Sequence, residues 1–196
     1  MTDIDKQLQF IIEIDKVKNI FRRNYIADGS RNENVAEHSW HLAAMAIILE
    51  PHVEKVNILK VIKMVIIHDI VEIDAGDTYI HDKEGLKDKK QREEQAAKRI
   101  FSMLPEDQGK ELRDLWHEFE TGESNNAQFA NVLDRLHPFL MHIESKGKAW
   151  IENNISVKQV YEVMSSVEKF PRLWEYLTQK ISIACEKGWL QNDEKI

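Results

Sequence analysis

A single cysteine, four prolines and seven glycines are all that 196 residues contain of the types that staple or break a chain. One cysteine, Cys185, excludes an intramolecular disulfide and a multi-cysteine zinc site, and it reads as a packing residue near the end of the last expected helix. The N-terminal MTDIDKQLQF lacks the basic and long apolar regions of a secretory signal, so the expected compartment is the cytoplasm. Long hydrophobic runs are also missing. The stretch Val61 to Val71 is interrupted by Lys63, His68 and Asp69 and falls well short of the ~20 apolar residues that cross a bilayer, so no membrane span is expected. Excess positive charge is absent too. A formal charge of −7 argues against a nucleic-acid polymer as partner, because phosphate backbones are held by clustered Lys and Arg. It leaves room for one small phosphate, which a cation and one or two arginines can capture.

What is present is helical periodicity almost from end to end, with 42% hydrophobic residues, enough for an ordinary core. The expected fold is all-α, one domain over residues 1–196. A first helix fits Asp5 to Phe21 and RRNYIADGSRNEN reads as a loop. Asn34 caps a second helix, with Glu37 completing a capping box, and Pro51 ends it. A third helix spans Asn57 to Ile73 and stops at Gly76. KDKKQREEQAAKRIFSML is a charged helix with one apolar side, and the charge run from Asp82 to Glu94 reads as a solvated face. Pro105 is expected at the first position of the next helix. Ser124 or Asn125 opens a helix with Phe129, Val132, Leu133, Leu136, Leu140 and Ile143 inward, kinked at Pro138. The last helical stretch, Ser156 to Lys187, bends at Pro171.

The chemistry concentrates in VIIHDIVEIDAGDT, Val65 to Thr78. An apolar helix that carries an imidazole and several carboxylates needs a partner for their charge, since an unpaired buried carboxylate costs several kcal/mol or loses its charge. His68 and Glu72 share a helix face, and Asp69 lies about 100° round the axis. Imidazole nitrogen and carboxylate oxygen together suit a divalent ion, with further ligands drawn from His38 in AEHSWH and Asp134 in FANVLDRLHPFL. Each has a plainer reading: Asp134 as a core salt bridge with an Arg, His38 as a helix-terminal histidine. His41 reads as a pocket or backbone-bonding residue, with extra ligation as the alternative. His137 reads as a core group or a support behind the ligands, and Asp74 as a helix-end acid, with orientation of Arg22 or Arg23 as its alternative. Trp116, Phe119 and Trp150 read as core or interface aromatics.

The order His38, then His68-Asp69, then Asp134 resembles the H…HD…D pattern of the HD-domain metal-dependent phosphohydrolases. The strings ENVAEHS, IHDIVEIDAGD and LDR most resemble the subgroup that contains bacterial 5'-deoxynucleotidase. The resemblance implies an all-α HD-domain bundle with the metal site between central helices, a metal-site core over about 22–140, and a homodimer. It implies that His38, His68, Asp69 and Asp134 hold one divalent ion such as cobalt, manganese or magnesium. By the same resemblance Glu72 positions or deprotonates the attacking water, Asp77 contacts the substrate, Arg23 orients the phosphate and Thr78 follows in the substrate loop. Asn24 stands where that subgroup carries an aromatic residue, and Tyr25 is displaced from it by one place. The implied activity is hydrolysis of (deoxy)nucleoside 5'-monophosphates to nucleoside and phosphate. Two alternatives stand beside it: a phosphodiesterase or nucleotide pyrophosphatase, and a nucleotide-sensing module without turnover.

Overall fold

The structure is a computed structural model and describes residues 1–78 and 84–192. Helix α1 (Asp3–Ile14) starts at a Thr2/Asp5 capping box and gives way to a 3-10 turn, Asp15–Asn19. It therefore ends seven residues earlier than the periodicity suggests. The reason is the next segment: the expected loop contains an antiparallel pair, β1 (Phe21–Tyr25) with β2 (Asn32–Asn34), and Val35 N–H bonds back to the Ile20 carbonyl. Pairing draws residues 20–25 out into extended backbone.

Helix α2 (Val35–Leu49) begins at the expected Asn34/Glu37 capping box. Helix α3 (Ile58–Ile67) is capped by the Asn57 side chain. It does not run on to Ile73. The indole N–H of Trp116 takes the His68 carbonyl at 3.1 Å, and Glu72 N–H turns to the Asp69 carbonyl instead, 3.0 Å away. The chain tightens into i→i+3 turns across the His-Asp pair before the short α4 (Glu72–Ala75), which Gly76 ends at φ 74°.

Helix α5 (Lys89–Phe101) carries the charged segment, and α6 (Glu106–Thr121) follows with Pro105 just outside its first turn, one place earlier than expected. Helix α7 (Asn125–Glu144) opens with the Ser124 hydroxyl accepting from Ala127 N–H and continues through Pro138. Then come α8 (Lys148–Glu152), α9 (Val157–Met164) and α10 (Pro171–Glu186). The single bent helix expected at the C-terminus is two helices separated by a 3-10 turn, with Pro171 at a helix start, where its missing N–H costs nothing.

One apolar core joins α2, α3, α5, α6, α7 and α10, and α7 packs on α2, α3 and α6. Among its side chains Phe129, Leu133, Met64 and Val61 are completely buried, and Trp116 and Phe119 belong to it. Phe129→Ala is expected to lower the unfolding free energy by about 3–5 kcal/mol, measured by denaturant titration. Cys185 packs against this core. In the charge run, Asp82 and Lys83 lie outside the described residues. Glu84 with Lys87 and Asp88 with Arg92 pair along its exposed part, but Glu93 is 5% exposed and bonded to Lys89 at 2.7 Å, so the run is not solvated throughout. No described helix is long and apolar enough to cross a membrane.

Candidate metal centre

Four elements bring a cluster of side chains together beside one cavity of about 320 Å³, which Arg22, His68, Asp69 and Asp134 line. The tight turns after α3 present His68 and Asp69, α7 presents Asp134, the first turn of α2 presents His38, and β1 contributes Arg22. His38 Nε2 stands 3.0 Å from Asp134 Oδ1, His68 Nε2 3.1 Å from Asp69 Oδ2, and His68 Nε2 3.7 Å from Asp134 Oδ1. His38 and His68 are buried, with ring centroids 5.5 Å apart. His38, His68 and Asp69 each offer a ligand atom within 4.8 Å of the others, and Asp134 touches both imidazoles.

The His68 tautomer follows from its surroundings. Its Nδ1 lies 2.9 Å from the Val65 carbonyl, which can only accept, so Nδ1 carries the proton. The Nε2 lone pair then faces two carboxylates and makes no hydrogen bond. Such an atom needs a proton or a metal ion. Burial opposes charge on the ring, but Asp69 and Asp134 outweigh it and push the His68 pKa up to about 10. Burial likewise raises the two acids, yet His68 and Arg22 hold Asp69, and a hydrogen bond from His38 with the charge of nearby His68 holds Asp134, below the ordinary carboxylate range. Two imidazoles and two carboxylates of this kind fit a divalent ion. At pH 7 metal-free His68 is protonated and must release that proton to ligate. Divalent-ion affinity is therefore expected to rise with pH, with about one proton released per ion bound, read by calorimetry in buffers of different ionisation enthalpy.

Arg22, expected to have no catalytic role, reaches into the cluster. Its Nη1 lies 2.5 Å from Asp69 Oδ2 and 3.8 Å from Asp77 Oδ1, and its Nη2 3.7 Å from Asp134 Oδ1. The plain reading of Asp134 as a partner of arginine is thus also met in the geometry. Arg23 lines the same cavity from an exposed position on the strand. Glu72, 5% exposed, lines the cavity with Oε2 unbonded. Burial first, then the Asp69 charge, raise its pKa well above the ordinary value, against the pull of Arg22. Asp77 is raised mainly by burial.

Arg92, also unremarked in the sequence, holds the loop that carries Asp77. Its guanidinium bonds the Ala75 carbonyl, the Thr78 hydroxyl at 3.1 Å and the Gly85 carbonyl at 3.0 Å. Thr78 therefore lines the cavity with its oxygen already engaged. Asp74 pairs with Arg99, not with Arg22 or Arg23. Among the described residues, His41 bonds neither a backbone carbonyl nor the cluster: its Nδ1 meets His137 Nε2 at 2.9 Å. Phe119 and Trp150 are buried and also line the cavity, whereas Tyr25 reaches away to Glu152 at 3.1 Å.

The HD domain family matches residues 14–174. Human 5'-deoxynucleotidase HDDC2 is 33% identical over 138 residues, 70% of this chain and 67% of that protein. The Dictyostelium discoideum 5'-deoxynucleotidase HDDC2 is 29% identical over 163 residues, 79% of this chain and 86% of that one. Among solved structures, one described as a "predicted metal-dependent phosphohydrolase" from Magnetospirillum magnetotacticum MS-1 is 43% identical with a TM-score of 0.92, covering 96% of this chain and 95% of that one. An HD-domain phosphohydrolase from Listeria innocua, 19% identical with a TM-score of 0.61 over 89% of this chain and 97% of that one, shares the fold.

Proposed function

We propose a function from one premise: this chain belongs to the HD-domain family. It is a metal-dependent phosphomonoesterase that cleaves nucleoside 5'-monophosphates, deoxynucleotides preferred, to nucleoside and phosphate. The observation that carries this reading is a cation-demanding cluster and a buried, unbonded Glu72 carboxylate oxygen facing one cavity. The names of the human and Dictyostelium relatives support the substrate class.

His38, His68, Asp69 and Asp134 hold one divalent ion of the cobalt, manganese or magnesium kind. The chemistry supplied at such a centre is Lewis acidity, which acidifies a water and offsets charge on a phosphate oxygen. Glu72 takes the proton from the attacking water. Arg23, on the exposed rim, receives and orients the phosphate, and Arg22 fixes Asp69 from within the cluster. Asp77 contacts the substrate near the sugar or the scissile bond, with Thr78 beside it. The chain works as one domain over 1–196, as a homodimer and in the cytoplasm.

The test is direct. Protein stripped of metal and resupplied with cobalt, manganese or magnesium is offered a panel of nucleoside 5'-monophosphates, cyclic diesters and triphosphates. Orthophosphate released from the monophosphates is the expected result. Release of pyrophosphate, opening of a diester alone, or binding without turnover would replace it with one of the other readings.

A further inference from the structure

Behind the ligand side of the cavity three imidazoles form a chain. His38 and His41 stand one turn apart on α2, and His137 reaches between them from α7. His38 Nδ1 lies 3.2 Å from His137 Nδ1, and His137 Nε2 lies 2.9 Å from His41 Nδ1. His38 and His137 are 0% and 1% exposed, and His41 is half-buried, so the chain leads from the cluster toward solvent. The inner nitrogen of His38 has a rival neighbour. Glu33 Oε1 lies 3.4 Å from it but makes no hydrogen bond, and Glu33 Oε2 stands 3.7 Å from His137 Nε2.

We propose that His137, backed by His41, is the positioning residue for His38: it keeps Nε2 aimed at the cation site and sets the affinity of that site for a divalent ion. The inference rests on the metal centre proposed above.

A neutral imidazole has one N–H and one lone pair, so the three rings can be matched in two ways only. When His38 Nε2 gives its lone pair to a cation, the His38 proton sits on Nδ1 and is donated to His137 Nδ1. His137 then carries its proton on Nε2 and donates it to His41 Nδ1, and the His41 proton sits on its own Nε2. When His38 Nε2–H donates instead to Asp134 Oδ1, 3.0 Å away, every bond reverses. His41 Nδ1–H donates to His137 Nε2, and His137 Nδ1–H donates to His38 Nδ1. Passing from the second arrangement to the first, one proton enters at His41 Nε2 and one leaves from His38 Nε2, and no ring changes charge. A carboxylate cannot serve both arrangements. Glu33 in that place would accept a hydrogen bond from His38 Nδ1–H in the first and face a bare lone pair in the second. Only a group that both donates and accepts keeps His38 hydrogen-bonded throughout, and His137 is that group.

The experiment uses the full chain, stripped of metal and titrated with Co²⁺ by calorimetry and by visible absorption. His137→Leu is expected to weaken Co²⁺ binding about 10–100-fold and to change the ligand-field spectrum, a range typical of lost support behind a ligating histidine. His137→Gln, whose amide both donates and accepts, should recover most of that loss. His41→Leu, at a half-buried position, should weaken binding by a smaller factor, which keeps the proposal testable if His137→Leu does not fold. Glutamine no better than leucine at 137 would make His137 a packing residue and overturn the proposal. So would a tenfold loss in Glu33→Gln beside normal affinity in His137→Leu, which would give the role to Glu33. Parent protein that binds no Co²⁺ would remove the metal centre itself, a result distinct from either.

Discussion

Asp69→Ala is expected to abolish divalent-ion binding and phosphate release together, with turnover down by more than about a thousandfold, on the order of 4 kcal/mol of transition-state stabilisation. The size follows from what Asp69 does in the cluster. It lies closest to His68 Nε2 among the carboxylates, and it is the acid to which Arg22 is bonded most tightly. Without it the charge that draws a cation falls, and a half-buried guanidinium and a buried imidazole lose their main counter-charge, a change that costs up to about 3–5 kcal/mol when one partner of a buried pair is removed. Asp69→Asn separates the two effects. The amide keeps the shape and one acceptor, so the fold should persist while ion binding is still lost. Calorimetric titration with Co²⁺ or Mn²⁺ and a phosphate-release assay on the same samples check both variants. Full turnover in Asp69→Asn would show that this carboxylate is not a ligand.

Much of the fold was legible because its long helices announce themselves by period and punctuation. Asn34 with Glu37, Ser124 and Pro105 mark boundaries that the structure keeps within a residue. What escaped depends on contacts between segments far apart in the chain. The break at His68 is made by an indole 48 residues away that claims a carbonyl, and nothing local in VIIHDIVEI records it. Adjacent residues stand about 100° apart on an α-helix and about 120° in a 3-10 turn, yet His68 Nε2 and Asp69 Oδ2 meet at 3.1 Å. The β1/β2 pair escaped because Gly29, Ser30 and the Asn residues in and between its strands read as turn formers. Once those residues are read as a strand, alternation puts the Arg22 and Arg23 side chains on opposite faces, one inside the cluster and one on the exposed rim. A loop reading carries no such alternation, so the two arginines could not be told apart. Arg92 had no signal beyond being a charged residue on a helix, since two of its partners, the Ala75 and Gly85 carbonyls, are backbone oxygens outside its own helix.

Glu72→Gln should separate ion binding from turnover. The amide keeps the size of the side chain but cannot take a proton, so Co²⁺ affinity should stay within a few-fold of the parent while phosphate release falls about 10²–10⁴-fold, the usual share of a general base. The pH dependence gives a second, independent reading. Burial and the Asp69 charge raise the Glu72 pKa in the folded protein, so the folded state holds a proton that the unfolded chain has already released above about pH 4.5. Between the unfolded and folded pKa values, stability of the metal-free protein is lost as pH rises, and above the folded value the whole penalty is present. Glu72→Gln removes an ionisable group whose charged form burial disfavours. The variant should therefore melt at a higher temperature than the parent near pH 8 and at the same temperature near pH 4, both measured without metal. A residue kept ionisable where glutamine would be more stable is one whose proton is being used. If Glu72→Gln proved the less stable form at pH 8, or kept full turnover, the carboxylate would be a structural acid and the attacking water would need another base.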